Sequence, residues 1–287
     1  MDARSNVKRL LKWSVELGME YSGLGYLYRK TRYFQEGHRI LAYHRIQRDP
    51  VNSHSVSPKD FADHIAFLAD HHPVVSMATL RAGLAGDISL QPHSVAITFD
   101  DGYIEYASTV ADILNRSGLT ATFFVVTGIL DEHFPVAPDT FMGWHDVRSL
   151  SQAGFSIGSH CVTHVSLGIQ TLDAVRVEVA ESRERIRSEL GTPPEGIAYP
   201  YGTLRDFSPE VALLVKDTGY QYGATAVNGL NHLGCDLFTL RRTSMTYGDG
   251  LKTFRLIMKG GLDPWLAVDR LAYRLQRPQS SMNYSGS

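Results

Sequence analysis

Cysteine is nearly absent: Cys161 and Cys235 are the only two in 287 residues, too few for a disulfide framework or a thiolate zinc site. Any metal held by this chain must therefore rest on histidine and carboxylate. Charge shows no excess of either sign. With 28 Lys and Arg against 30 Asp and Glu, the net charge is −2, so the chain lacks the basic field that nucleic acid attracts, and no nucleic-acid partner is expected. An unbroken apolar run is also missing. Leu10 to Tyr28 is interrupted by Lys12, Glu16 and Glu20 and weakened as a helix by Gly18, Gly23 and Gly25, so it reads neither as a spanning helix nor as a good signal peptide. No repeat of solenoid length occurs, and the one low-complexity tract is the Gln/Ser/Gly-rich tail from Pro278 to Ser287, expected to be disordered.

What remains is the composition of a globular enzyme, 43% hydrophobic with 25 Gly and 12 Pro. Charge is unevenly spread, because residues 1–48 carry ten Lys or Arg against four acids, a net of +6 that leaves −8 for the rest. Residues 1–37 therefore read as a basic amphipathic N-terminal segment. It is either an interfacial segment held on an anionic membrane surface or a helix packed on the domain. The compartment is correspondingly left between the cytoplasm and the inner membrane face. Residues 38–260 read as one barrel domain, and 261–287 as a C-terminal helix and tail.

Along the domain, strand signals alternate with amphipathic stretches. His38–Tyr43, Ser94–Phe99, Ala121–Thr127, Phe155–Ser159, Ile197–Pro200, Gln221–Ala226 and Phe238–Thr243 read as strands. Between them, helices are expected after the cap Ser57 with Pro58 in first position, over Tyr103–Ser117, over Trp144–Ala153, and over Thr171–Leu190 with Leu172, Val175, Val179, Ile186 and Leu190 inward. Alternation of this kind implies a parallel sheet. Because no Gly-x-Gly-x-x-Gly follows the first strand, a distorted (β/α) barrel of about seven parallel strands is favoured over an open dinucleotide-binding sheet.

Barrel enzymes place their chemistry at the C-terminal strand ends. Asp100 and Asp101 end one strand, and adjacent carboxylates are rarely both buried without a cation. His160 and His164 follow another strand end, at a spacing that can present two imidazoles on one side of a turn. Each pair alone also has a bland reading, as a helix cap or as core histidines. Together they make a two-His, one-carboxylate site open to water, suited to a divalent ion such as zinc, with cobalt, nickel or iron as alternatives.

Three motifs, Thr98–Tyr103 (TFDDGY), Gly158–His164 (GSHCVTH) and Ala198–Gly202 (AYPYG), stand in the order and rough spacing of the polysaccharide deacetylases, or NodB-like carbohydrate esterases. The chain resembles that family over roughly His38 to Met245, and Leu41–Ile46 (LAYHRI) upstream resembles its exopolysaccharide and poly-N-acetylglucosamine branch. The resemblance implies a NodB-like barrel and a metal-dependent hydrolase that removes N-acetyl groups from N-acetylhexosamine units of a polysaccharide or lipid-linked glycan. It further implies Asp101, His160 and His164 as metal ligands, Asp100 as general base and His44, carried near the N-terminus in that branch, as general acid. The backbone N–H of Tyr201 matches the family's oxyanion donor, and Tyr201 and Trp144 are candidate substrate contacts. Alternatives are a glycan-binding barrel without turnover that supports exopolysaccharide synthesis, or a deacetylase or deformylase of a small glycolipid.

The sequence departs from the family at three points, one being that it shows neither the signal peptide nor the lipoprotein cysteine of extracellular members. Cys161 stands where Ser or Thr is usual, and is read as a small buried residue more than as a soft ligand. Ala198 stands where many members have Arg, so the partner orienting Asp100 must come from elsewhere, with Arg241 or Arg242 as candidates. Gly154–Gly158 also spells Gly-x-Ser-x-Gly, but Ser156 lies inside an expected strand and not on the sharp turn that a nucleophilic serine needs.

Overall fold

The computed structural model describes residues 14–15, 17–48, 54–136 and 140–267. Seven parallel strands, β1 (Arg39–Tyr43), β2 (Val95–Phe99), β3 (Thr122–Val125), β4 (Ser156–Ser159), β5 (Gly196–Ala198), β6 (Tyr222–Ala224) and β7 (Thr243–Ser244), form one sheet in the order β6-β5-β4-β3-β2-β1-β7. Its two edges are joined by the chain leading into β7. Leu240 exchanges backbone hydrogen bonds with Gly223 and Thr225 beside β6, and Thr243 pairs with Leu41 of β1. The result is the expected distorted α/β barrel. The strand expected over Phe238–Thr243 is regular only at Thr243–Ser244, with Leu240 an isolated bridge, because this segment crosses from one sheet edge to the other and cannot keep a single ladder.

Seven helices of eight residues or more surround the sheet among the described residues: α1 (Pro58–His71), α2 (Met77–Ala85), α3 (Thr109–Arg116), α4 (Trp144–Gln152), α5 (Leu172–Leu190), α6 (Pro209–Asp217) and α7 (Leu251–Met258). Ser57, Ser76, Thr171 and Ser208 cap α1, α2, α5 and α6, each side-chain oxygen accepting the backbone N–H three residues on. The single helix expected over Tyr103–Ser117 is broken. A 3₁₀ turn at Ile104–Ala107 is followed by a kink at Ser108 before α3 begins. The Tyr106 hydroxyl, within hydrogen-bond reach of the His44 and Asp100 carbonyls, anchors that turn to the ends of β1 and β2.

Strand alternation divides the core in two. Leu41, Tyr43, Ile97, Phe99, Phe123 and Val125 pack outward beneath the helices. Ile40, Ala96, Phe124, Ala198, Tyr222 and Leu240 join Met77, Leu80 and Leu84 of α2 in a second cluster that fills the barrel. Glycine makes room for the two large rings inside: a Cβ at Gly158 would sit 2.3 Å from the Phe124 ring, and one at Gly196 2.0 Å from that of Tyr222.

Part of the described N-terminal segment packs on the domain. Phe34 is buried, Tyr28 donates to Asp263 at 2.8 Å, and Asp263 also accepts from Arg39 of β1 at 2.8 Å with both side chains sealed. Tyr21, Leu24, Tyr26 and Leu27 are exposed, and no helix among the described residues is long and apolar enough to cross a membrane. Residues 1–13 and 268–287, which include the tail expected to be disordered, lie outside the described residues.

Gly158→Ala is expected to cost about 1–3 kcal/mol by overpacking the barrel interior. Phe124→Leu in the same chain should recover part of that loss, read as a positive coupling energy in a urea double-mutant cycle.

Candidate active site

β2 ends by delivering Asp100 and Asp101 to the C-terminal face, 3% and 4% exposed. Asp101 adopts a left-handed conformation (φ 78°), followed by Gly102 (φ 83°), and this turn aims consecutive carboxylates at different partners. Asp100 receives Arg242 in a two-pronged ion pair, both N···O distances 2.7 Å. Arg242 is itself 1% exposed and oriented by the Thr225 carbonyl at 2.7 Å, with its guanidinium over the Phe124 ring. It therefore fills the place that Ala198 leaves open. Arg241, the other candidate, turns to the Tyr33 hydroxyl at 3.4 Å and does not meet Asp100, since successive side chains of an extended segment point opposite ways.

Asp101 faces the histidines. Its Oδ1 lies 3.4 Å from His160 Nε2 and 3.3 Å from His164 Nε2. His160 is held by its N–H on the Val125 carbonyl and by Nδ1 donating to the Ala198 carbonyl at 2.8 Å, which leaves Nε2 with its lone pair toward Asp101. Left-handed turns at Cys161 (φ 68°) and His164 (φ 56°) fold the loop so that the two rings stand 4.7 Å apart. Cys161 is fully buried, packed with Leu167, Val175 and Val179, and burial pushes its thiol up. Two carboxylates that no sequence motif singled out support this side. Glu178 of α5 accepts the N–H groups of Val162 and Thr163, and Asp206 accepts from Ser166 and from the Thr203 N–H. Glu178 has a legible signal in retrospect, an acid on the inward stripe Val175, Val179, Ser182, Ile186.

Burial would raise Asp100, but the Arg242 guanidinium and then His160 outweigh it, and the carboxyl lies below the usual carboxylate range. Burial pushes His164 down, whereas at His160 the Asp101 and Asp100 carboxylates outweigh burial and raise it. Asp101, His160 and His164 are the one group of three or more ligand-type side chains among the described residues whose donor atoms gather within 4.8 Å, and all three are buried. Asp101 Oδ1 is sealed from solvent yet makes no hydrogen bond. An orphaned carboxylate oxygen facing two imidazole nitrogens is a donor set that a divalent cation of the zinc type fits.

Beside this group, His44 Nε2 stands 3.9 Å from Asp100 Oδ2, with the side chain 23% exposed. Tyr201 adopts a left-handed conformation (φ 59°), packs edge-on against the His164 ring at 4.8 Å, and its backbone N–H makes no hydrogen bond among the described residues. Trp144, the other candidate substrate contact, is 9% exposed, its N–H donates to Asp131 at 2.7 Å and the Arg185 guanidinium lies over its ring, so it packs between elements. Asn231 pairs with His38 beside the N-terminal end of β1, and His232 donates to the Tyr33 carbonyl there. Ser156 sits within β4, bonded to the Ala121 carbonyl, and forms no nucleophile turn.

A family model described as polysaccharide deacetylase matches residues 87–223. YxkH of Bacillus subtilis, whose name places it among the polysaccharide deacetylases, is 26% identical over 210 residues, covering 73% of this chain and 71% of YxkH. The peptidoglycan-N-acetylmuramic acid deacetylase PdaA of the same organism is 29% identical over 136 residues, 45% of this chain and 44% of PdaA. Among solved structures, the Streptococcus pyogenes deacetylase PplD superposes with a TM-score of 0.70 at 21% identity, over 78% of this chain and 99% of PplD. IcaB from Ammonifex degensii does so with a TM-score of 0.66 at 20% identity, over 79% and 97% of the two chains. At such identity the superpositions establish the shared fold.

Arg242→Met is expected to cost about 3–5 kcal/mol at pH 7 because it strands a buried carboxylate, whereas Arg241→Met should cost under about 1 kcal/mol. The Arg242 penalty has a definite pH dependence. A depressed Asp100 stabilises the fold above the ordinary aspartate value and loses that contribution as pH falls through its folded value. In the variant the unpaired carboxyl is raised, and its penalty vanishes on protonation. Urea unfolding from pH 7 downward should therefore show the two proteins converging as acid is added.

Proposed function

We propose that this chain, whose residues 87–223 match the polysaccharide deacetylase family model, hydrolyses the N-acetyl groups of N-acetylhexosamine units in a polysaccharide or lipid-linked glycan. Asp101, His160 and His164 would hold a divalent metal, zinc by donor type. The observation that carries this reading is the sealed, unbonded Asp101 Oδ1 facing two imidazole nitrogens. When bound, the cation supplies Lewis acidity for activating water and polarising the acetamide carbonyl.

The remaining steps belong to the protein. Asp100, kept ionised by Arg242, is the base that takes a proton from the attacking water as the new C–O bond forms. The Tyr201 N–H donates to the oxygen that gains charge in the tetrahedral transition state. His44 then protonates the amide nitrogen as the C–N bond breaks, since an amine leaves poorly as its anion. Acetic acid and a free amino sugar result: one water proton is on Asp100 and the other leaves on the acid, to be lost to solvent, and return of the Asp100 proton to His44 through solvent restores the starting state. Contact of residues 1–37 with a membrane surface forms no part of this reading.

Asp101→Ala, His160→Ala and His164→Ala should each lose bound metal and amine release together. Asp100→Asn should keep its metal, measured by elemental analysis, while amine release falls by about 10²- to 10⁴-fold. Equal metal loss in all four would contradict the separate roles of the two aspartates. His44→Ala should lose activity on N-acetylglucosamine oligomers by a similar factor of about 10²–10⁴ but much less on an activated aryl acetate, whose phenolate needs no proton. Equal losses on both substrates would make His44 a positioning residue.

A further inference from the structure

We infer that Glu178 is the positioning residue of the His160–His164 loop, setting metal affinity without touching the metal. The inference rests on the metal reading above. Glu178 stands on the inward stripe of α5, 9% exposed among Val175, Val179 and Ile186, and forms no ion pair among the described residues. A buried carboxylate with no cation is costly unless hydrogen bonds compensate it. All three of its donors come from the stretch between the two histidines: the Val162 N–H at 2.9 Å, the Thr163 N–H at 3.0 Å and the Thr163 hydroxyl.

The other side of the same stretch is also held. Thr127 N–H donates to the Cys161 carbonyl at 3.1 Å and Gly128 N–H to the Val162 carbonyl at 3.0 Å. The approach at Gly128 admits no side chain, since a Cβ there would lie 2.6 Å from that carbonyl oxygen. The loop is thus clamped between the end of β3 and one carboxylate of α5. The clamp is needed because Cys161 and His164, on either side of the clamped peptides, are both left-handed non-glycine residues, a conformation that persists only where surroundings impose it. Removing the carboxylate orphans two part-buried N–H groups and frees the turn that swings His164 Nε2 to Asp101. A glutamine can replace it: its amide oxygen accepts both N–H groups, and its NH₂ donates to the Thr163 oxygen. Geometry and charge are therefore separable by substitution.

The test uses the full chain as wild type, Glu178→Ala, Glu178→Gln and Thr163→Val. Zinc affinity is read by competition with a chromogenic chelator, and amide exchange at Val162 and Thr163 is read on the metal-free proteins. Glu178→Ala should bind zinc about 10- to 100-fold more weakly, the usual worth of a group that orients a ligand, with faster exchange at both amides. Glu178→Gln should stay within about threefold of wild type, and Thr163→Val should fall between. Wild-type zinc affinity in a folded Glu178→Ala protein would overturn the inference, as would equal losses in Glu178→Ala and Glu178→Gln. If Glu178→Ala does not fold, the other two variants decide, because a tenfold loss in Glu178→Gln or none in Thr163→Val contradicts the clamp. Wild-type protein that binds no zinc would refute the metal reading instead, and the exchange rates would still decide whether Glu178 holds the loop.

Discussion

Two carboxylates on consecutive residues, both sealed from solvent, cannot stay ionised on one shared partner, and the fold gives each its own. Asp100 takes Arg242, delivered by the segment that closes the barrel between β6 and β1. Asp101 turns the other way, to two imidazoles. Closure of the barrel and the ion pair at Asp100 consequently depend on the same segment. The residue that completes the sheet also neutralises the site, and Phe124 beneath its guanidinium ties both to the packing of the interior. The two small residues Gly158 and Gly196 matter for the same reason, since they leave the space in which Phe124 and Tyr222 stand.

Strain gathers where this chemistry is placed. Of the six non-glycine residues with positive φ among the described residues, Asp101, Cys161, His164 and Tyr201 belong to the three strand-end turns of the site. Each turn re-aims a side chain or an N–H that a regular strand end would send elsewhere, and such conformations need external support. Asp206 bridges the loops after β4 and β5, while Glu178 reaches the first of them from α5. The site is in this sense built by helices and loop carboxylates as much as by strands.

The strands β1 to β4 were legible because buried apolar runs such as Val95–Phe99 and Thr122–Val125 carry their signal locally. The closing segment was not, because its hydrogen bonds are made to strands far apart in sequence. The break near Ser108 depends on Tyr106 reaching back to His44, and the exposure of Leu172 on its position in the first turn of α5, neither of which periodicity records. In the site, Asp100, Asp101, His160 and His164 stand out by type and spacing. The choice between Arg241 and Arg242 requires knowing which way each faces, and Trp144 reads as a sugar contact by sequence because sequence does not show Asp131 and Arg185 beside it.

The central claim is that Asp101, His160 and His164 form a metal centre while the adjacent Asp100 does not ligate. Anomalous X-ray diffraction from zinc-loaded crystals, collected on both sides of the zinc edge, tests it directly. The account predicts one strong peak about 2.0–2.2 Å from Asp101 Oδ1 and from the Nε2 atoms of His160 and His164, with the Arg242 pair to Asp100 intact. A peak bound through Asp100 or Cys161, or no peak at the three residues in fully loaded protein, would contradict it.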